Sequence, residues 1–478
     1  MFAQRLDFAM KVTNTSAAAL GRAVSLDPSH VSRLRNGTRS LPKNPEFLSP
    51  MAAFLRERAE SEYQRAALAE AVGITKWPAD EAHASLMLEH WLSGAAERQG
   101  VISTIVDSFS HSQKAVAPES GRRPKTALPP VKSRYYGDAG KQEAVLQFFT
   151  LVLKHPRPQT LLLLSEENME WLYRDPMFTA QWAELFRQVL AAGNRVRIVH
   201  SLKRDLTELF EAVAKWMPIY LTGAIEPHYL PRLRDGICRR TLFIAPDTCA
   251  VSSFSIGEET DEMLNELFIE QEPIHALERE FENYFALCKP LMRISPQGDA
   301  EGLWESLHDL LSAGGDALCM AGSPTLATMP EDVIASLQER ASGAPIAEST
   351  RSARMFVRQL AKKARVTLVV PRSPAWALPD QNARDLEIPC AGYFGCSGML
   401  YQDDEMAAHI RAADRFVSES RGLRIVRASK VPANLLVIAR ENVGTVMIKT
   451  DAPCISFAFT EPTMTNAFRE YLASIAGI

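Results

Sequence analysis

Apolar residues recur every three or four positions through the first seventy-odd residues of the chain. Phe2, Leu6, Ala9 and Met10 fall on one helical face. Thr15 or Ser16 then caps a helix carrying Ala19, Leu20, Ala23 and Val24. Ser25-Leu26 interrupts it, Asp27 caps the next helix, and Pro28 takes its first position. Val31 and Leu34 face inward, and Asn36-Gly37 ends the helix. Residues 52–72 and 80–96 also read as helices, the second with an apolar stripe of Leu88, Trp91 and Leu92. Residues 111–134 hold four prolines and little to bury, which predicts an exposed linker.

From Tyr135 the pattern alternates between helix and strand. Helices are predicted over 141–154, 179–192 and 206–216, with strands at 160–165 and 196–201. A strand pair follows at 242–245 and 249–256, and a helix at 278–287 closes the unit. Such alternation predicts α/β architecture. The rest of the chain repeats the plan. At an offset of 170, Phe186, Leu190, Arg195 and Val196 fall on Phe356, Leu360, Arg365 and Val366. LFIAPDTCAV (242–251) falls beside LVIARENVGT (436–445) at an offset of 194, and a last helix at 468–476 answers that at 278–287. Three pieces in one order imply an internal duplication.

Composition adds little until charge is mapped. At 478 residues the chain suits two to four domains, and 46% hydrophobic with 23% charged residues excludes a disordered or low-complexity protein. The net charge is −4, yet residues 1–45 carry seven basic and two acidic side chains, or +5. Residues 111–134 carry another +5, so the remainder sums to −14. A polyanion would meet the basic N-terminal third. The seven cysteines are widely spaced without a CxxC, which predicts reduced thiols rather than disulfides or a zinc site. No apolar run approaches membrane-spanning length, and the N-terminus lacks a leader-like apolar core. These features fit a cytoplasmic protein.

Residues 15–42 resemble the Cro- and phage-repressor-type (XRE) helix-turn-helix family in the run SxxALGRAVSLDPSHVSRLRNGTRSLP, on a framework of Leu20, Leu26, Val31 and Leu34. Gly21 stands for the usual small residue of the first helix, and Ser25 for the usual turn glycine. The resemblance implies a recognition helix whose exposed N-terminal side chains read base edges. Pro28, Ser29, Ser32 and Arg33 occupy that end, and an Arg there can pair with guanine, while His30 reads as a phosphate contact or a plain surface histidine. Arg22, Arg35, Asn36, Arg39 and Lys43 suit the sugar–phosphate backbone.

The doubled α/β region resembles the phospholipase D-like superfamily through LAAGNRVRIV, the strand pair RRTLFIAPDTCAVSSFSI and the duplication. The resemblance implies one His-x-Lys-x-x-x-x-Asp motif in each half. This sequence places Arg239, Thr241 and Pro246 at those positions in the first half, and Ala433, Leu435 and Arg440 in the second. His200-Ser-Leu-Lys203 has the wrong spacing, so no nucleophile and no catalytic residue is expected. Nothing predicts a metal or cofactor: GxGxxG, P-loop, GxSxG and HExxH motifs are all missing, and Asp403-Asp404-Glu405 reads as a solvated acidic run. Segment 216–240 offers Trp216, Tyr220, Arg232, Arg239 and Arg240 as a set able to hold an anionic or planar effector. The same residues could equally be core aromatics and paired surface arginines. Cys390 and Cys396 read as buried thiols or a redox pair.

The expected architecture is therefore multidomain: an all-α helix-turn-helix head (1–76), a helical extension (77–110), a basic proline-bearing linker (111–134), and two α/β repeats (135–291 and 292–478). The expected function is sequence-specific regulation of transcription on double-stranded DNA, as a homodimer, with a small-molecule effector on the α/β region. The alternatives are a DNA-targeted phosphodiesterase-like enzyme and a protein-interaction scaffold docking through its helical head.

Overall fold

The structure is a computed structural model. It describes residues 2–39, 46–72, 77–78, 80–93, 95–111, 131–167, 170–200, 207–231, 237–257, 260, 262–341, 343–372, 387–420 and 422–478. Lys43, Lys203, Arg232 and nearly all of the predicted linker lie outside the described residues. The chain divides into two compact units, Met1–Val101 and Ile102–Ile478.

The first unit is all helical. Its elements are α1 (Phe2–Val12), α2 (Ala17–Ala23), α3 (Pro28–Arg35), α4 (Leu48–Glu57), α5 (Glu62–Val72) and α6 (Glu81–Ser93), with α7 (Ala95–His111) running across the division. One core joins them: Leu6, Ala9 and Met10 from α1, Leu20 from α2, Val31 and Leu34 from α3, Met51 and Leu55 from α4, and Leu88 and Leu92 from α6. The part of the extension that contains α6 thus completes the core of the head. The far end of α7 belongs to the second unit, where Phe109 lies edge-on to Phe457 with ring centroids 4.8 Å apart.

The second unit consists of two sheets. The first is built from β1 (Arg134–Tyr136), α8 (Gly137–Lys154), β2 (Thr160–Ser165), α9 (Glu170–Tyr173), α10 (Pro176–Ala191), β3 (Arg195–His200), α11 (Thr207–Tyr220) and β4 (Ile225–Tyr229). It continues through β5 (Cys238–Ala245), β6 (Cys249–Ile256), β7 (Leu264–Phe268), α12 (Gln271–Phe285) and β8 (Lys289–Pro290). The second sheet runs from β9 (Arg293–Pro296) through α13 (Ala300–Asp309), β10 (Ala317–Ala321), α14 (Glu331–Arg340), α15 (Ile346–Lys363) and β11 (Val366–Pro371). It ends with α16 (Asp403–Glu419), β12 (Leu423–Ala428), β13 (Leu435–Arg440), β14 (Gly444–Lys449), β15 (Ile455–Phe459) and α17 (Pro462–Ala476). The chain is thus a helical head followed by two mixed α/β sheets.

The two sheets have the same strand order. The first reads β1-β7-β6-β5-β2-β3-β4-β8 and the second, from its other end, β9-β15-β14-β13-β10-β11-β12. In each, three strands run parallel (β2, β3, β4; β10, β11, β12) and the rest are antiparallel. Among the described residues, only the two-residue β8 lacks a counterpart.

The hydrogen-bond register corrects the alignment of the hairpins by one residue. Ala245 pairs with Cys249, and Arg440 pairs with Gly444, so the two hairpins are equivalent at an offset of 195, not 194. The side-chain period of a strand is two, so a slip of one reverses every face. Arg239, Thr241 and Pro246 therefore correspond to Asn434, Leu436 and Glu441, not to Ala433, Leu435 and Arg440.

Candidate nucleic-acid interface and a buried polar cluster

The helix-turn-helix is capped at both starts. Ser16 Oγ accepts from the Ala19 amide at 3.1 Å, and Asp27 Oδ1 accepts from the Ser29 amide at 2.7 Å. These bonds satisfy amides that a first turn leaves without partners. Ser25 adopts φ 56°, the left-handed conformation in which a glycine is ordinarily found. Gly21 makes the turn possible: a Cβ there would stand 2.6 Å from the Leu26 carbonyl oxygen.

Helix α3 buries Val31 and Leu34 completely and exposes Pro28, Ser29, Arg33 and Asn36. Ser32 is half-buried at the side of that surface, while Arg22 and Arg39 are exposed. Arg33 lies back along its own helix, Nε donating to the Ser29 carbonyl at 3.2 Å and Nη2 to Ser29 Oγ at 3.3 Å. Arg22 Nε donates likewise to the Ala18 carbonyl at 3.3 Å. Both guanidiniums are held only by neutral acceptors of their own helix in these bonds, so an anion could draw them away.

Two residues of the predicted set are engaged within the head. Arg35 Nε reaches Asp7 Oδ1 at 2.7 Å, tying α3 to α1. The bonds from Lys11 and then Arg35 hold the Asp7 carboxyl below its ordinary range. His30 turns edge-on to Phe47 with centroids 6.2 Å apart, and its Nε2 is buried without a hydrogen-bond partner among the described residues.

The described members of the predicted effector set are held by different partners. Trp216 and Tyr220 are core side chains on α11: Trp216 packs edge-on to Trp182 at 5.7 Å, and the Tyr220 hydroxyl bonds His200 Nε2 at 2.6 Å. Strand alternation sends Arg239 and Arg240 to opposite faces of β5. Arg240 holds Glu280 through two bonds of 2.6 and 2.9 Å, whereas Arg239 is buried on the face shared with Thr241.

That second face carries a polar cluster that no motif marked. Lys141 of α8 is fully buried and bonds Glu167, just beyond the end of β2. Thr241 Oγ1 donates to the other oxygen of Glu167 at 3.1 Å, and Ser165 Oγ lies 3.3 Å from the Thr241 hydroxyl. Ser253 bonds Asn265 at 2.6 Å, and Asn265 in turn donates to the Gly137 carbonyl. Burial lowers the Lys141 pKa to about 7, with Asp138 opposing. Glu166, next in chain, faces the other way and accepts from the Tyr284 hydroxyl at 2.8 Å. The cluster spans chain separations of 12 to 128 residues, so no local pattern could announce it. In the second repeat Ala321 and Leu436 stand where Ser165 and Thr241 stand in the first. Among the described residues, no group of three or more His, Cys, Asp or Glu side chains could hold a metal ion. Nor is any helix long and apolar enough to cross a membrane.

No family model matches the chain, and no curated protein matches it. Among solved structures it is similar to TrmBL2, described as an archaeal chromatin protein with a novel mode of DNA binding. The identity is 13% over 50% of this chain and 87% of that one, with a TM-score of 0.24. It is also similar to the polyphosphate kinase of Porphyromonas gingivalis, with 12% identity over 69% and 48% of the two chains and a TM-score of 0.21. Similarity to the phosphatidylserine synthase of Haemophilus influenzae Rd KW20 is of the same order: 10% identity, 72% and 85% coverage, TM-score 0.21. Superpositions this loose leave the function to the residues themselves.

Proposed function

We propose that the chain is a sequence-specific DNA-binding regulator of transcription, acting as a homodimer, with the α/β unit as its effector-responsive body. The observation that carries this reading is α3. It is a helix begun by an Asp27–Pro28 cap, anchored by Val31 and Leu34, with Pro28, Ser29, Arg33 and Asn36 on its outer surface. Pro28 and Ser29 stand at the end of the helix that would enter a major groove, and Arg33 lies one turn along the same surface. Arg33 is the base-reading residue in this proposal, with Arg22 and Arg39 on phosphates. Arg35 and His30 position α3 through Asp7 and Phe47. A dimer would set two such helices about 34 Å apart, one DNA turn.

The same proposal takes the α/β unit as non-catalytic. The four positions where the phospholipase D-like resemblance requires His and Lys carry Arg239, Thr241, Asn434 and Leu436. Fluorescence anisotropy on duplex DNA from the protein's own upstream region, at several salt concentrations, tests the reading. Wild type is expected to bind with a steep salt slope. Arg33→Ala is expected to lose about 1–3 kcal/mol of discrimination between specific and random duplex while keeping nonspecific affinity. If wild type binds no duplex at low salt, the head is a docking module.

A further inference from the structure

The two repeats share a fold but not a packed interior, and the difference leaves a cavity. In the first repeat the space between the sheet and α8 and α10 is filled by rings. Phe243 on β5 lies 6.0 Å from Phe148 and 6.5 Å from Phe149, centroid to centroid, and Trp182 stacks on Phe186 at 5.2 Å. The second repeat replaces two of these rings, Phe243 and Trp182, with smaller groups. The cross-strand pair Leu163–Phe243 becomes Cys319–Ile438 at the equivalent register. One turn before Phe356, which answers Phe186, stands Ser352 instead of Trp182.

The outcome is a cavity of about 130 Å³ between β10, β11, β13 and β14 and helices α13, α15 and α16. Cys319, Phe356, Leu360, Ile438, Trp304 and Phe416 line it. Among the described residues, no charged side chain lines it; its polar fringe is the hydroxyls of Thr325, Thr328 and Thr450. Protein interiors rarely keep voids larger than a water molecule, and an apolar cavity of roughly 150 Å³ in another protein stays dry and takes up benzene. A space of this size, filled in one copy of the fold and open in the other, has room for a small apolar ligand.

We propose that the second repeat binds a small neutral monocyclic aromatic molecule in this cavity. Charged analogues are excluded, because nothing in the lining could compensate a buried charge. The site deepens the proposed effector role, but only its coupling to DNA rests on that reading. The test is therefore binding by the full chain without DNA, using toluene as the probe. Calorimetry should give saturable binding at one site per chain, and toluene should raise the thermal unfolding midpoint; benzoate should do neither. Ile438→Phe copies the first repeat and is expected to weaken toluene binding at least tenfold. Cys319→Leu copies the paired position and should weaken it too, which keeps the test intact if Ile438→Phe does not fold. Absence of saturable toluene binding by wild type would overturn the proposal. So would unchanged affinity in a folded variant, or benzoate binding as well as toluene. Failure of the head to bind DNA would leave each of these outcomes as it stands.

Discussion

Gly21 and Ser25 stand at two places where backbone geometry, rather than chemistry, selects the residue. A Cβ on Gly21 would sit 2.6 Å from a backbone carbonyl oxygen, and backbone cannot swing aside as a side chain can. Gly21→Ala should destabilise the head by roughly 1–3 kcal/mol, read by urea unfolding. Ser25→Gly relieves a left-handed φ of 56° and should stabilise the head by on the order of 1 kcal/mol. Lys141 and Glu167 give the complementary case, where charge decides. Lys141→Met leaves a carboxylate buried without its cation and should cost about 3–5 kcal/mol of the α/β unit's stability. The double variant with Glu167→Leu should recover most of that loss; a double variant as unstable as the single would mean that the pair is not what holds these elements. The Asp27–Pro28 start was legible in the sequence because cap and helix are neighbours in the chain. Arg35 looked like a free cation there because its partner, Asp7, lies 28 residues away.

At the scale of elements, hydrophobic periodicity located most helices and strands but not their ends. Helix α12 begins at Gln271, seven residues before the predicted Glu278, because its early turns are mostly polar and only Ile274 is buried there. Strand β5 begins at Cys238 rather than Leu242, since Arg239 and Arg240 do not read as strand until their partners Ser255 and Phe254 are known. The duplication was legible in the order of its pieces. The hairpin offset was wrong by one because residue likeness, unlike a hydrogen-bond ladder, does not count residues around a turn. The cavity had no sequence signal at all, because it consists of side-chain volume that is missing. In segment 216–240, aromatics and arginines close in sequence went to a core and to two faces of one strand.

Across the whole α/β unit, each repeat sets a histidine against a tyrosine hydroxyl, and the first repeat also buries His228. His200 bonds the Tyr220 hydroxyl, and His409 bonds the Tyr401 hydroxyl at 2.6 Å and faces Thr328 and the Thr325 carbonyl. Burial lowers both pKa values to about 4 from an ordinary 6.5. Between pH 6.5 and 4 the unfolded chain thus binds protons that the folded chain refuses. Stability is full above pH 6.5 and falls as pH drops through that window, by roughly 1.4 kcal/mol per pH unit for each histidine. Urea unfolding at pH 7 and pH 5 checks this, and His409→Gln should reduce the slope. An equal slope in the variant would place the acid sensitivity elsewhere.

The junction of the repeats is short. Lys289–Pro290 pairs with the edge of the first sheet, Leu291 donates to the Pro227 carbonyl at 2.9 Å, and Arg293 already opens the edge strand of the second. Two separate chains meeting along the same edges would come apart whenever their concentration fell below their dissociation constant. Joined by two residues of connection, each half sees its neighbour at a fixed effective concentration that dilution cannot lower. Pairing of the halves is thus independent of how much protein is made, and only pairing between whole molecules remains open to control by abundance.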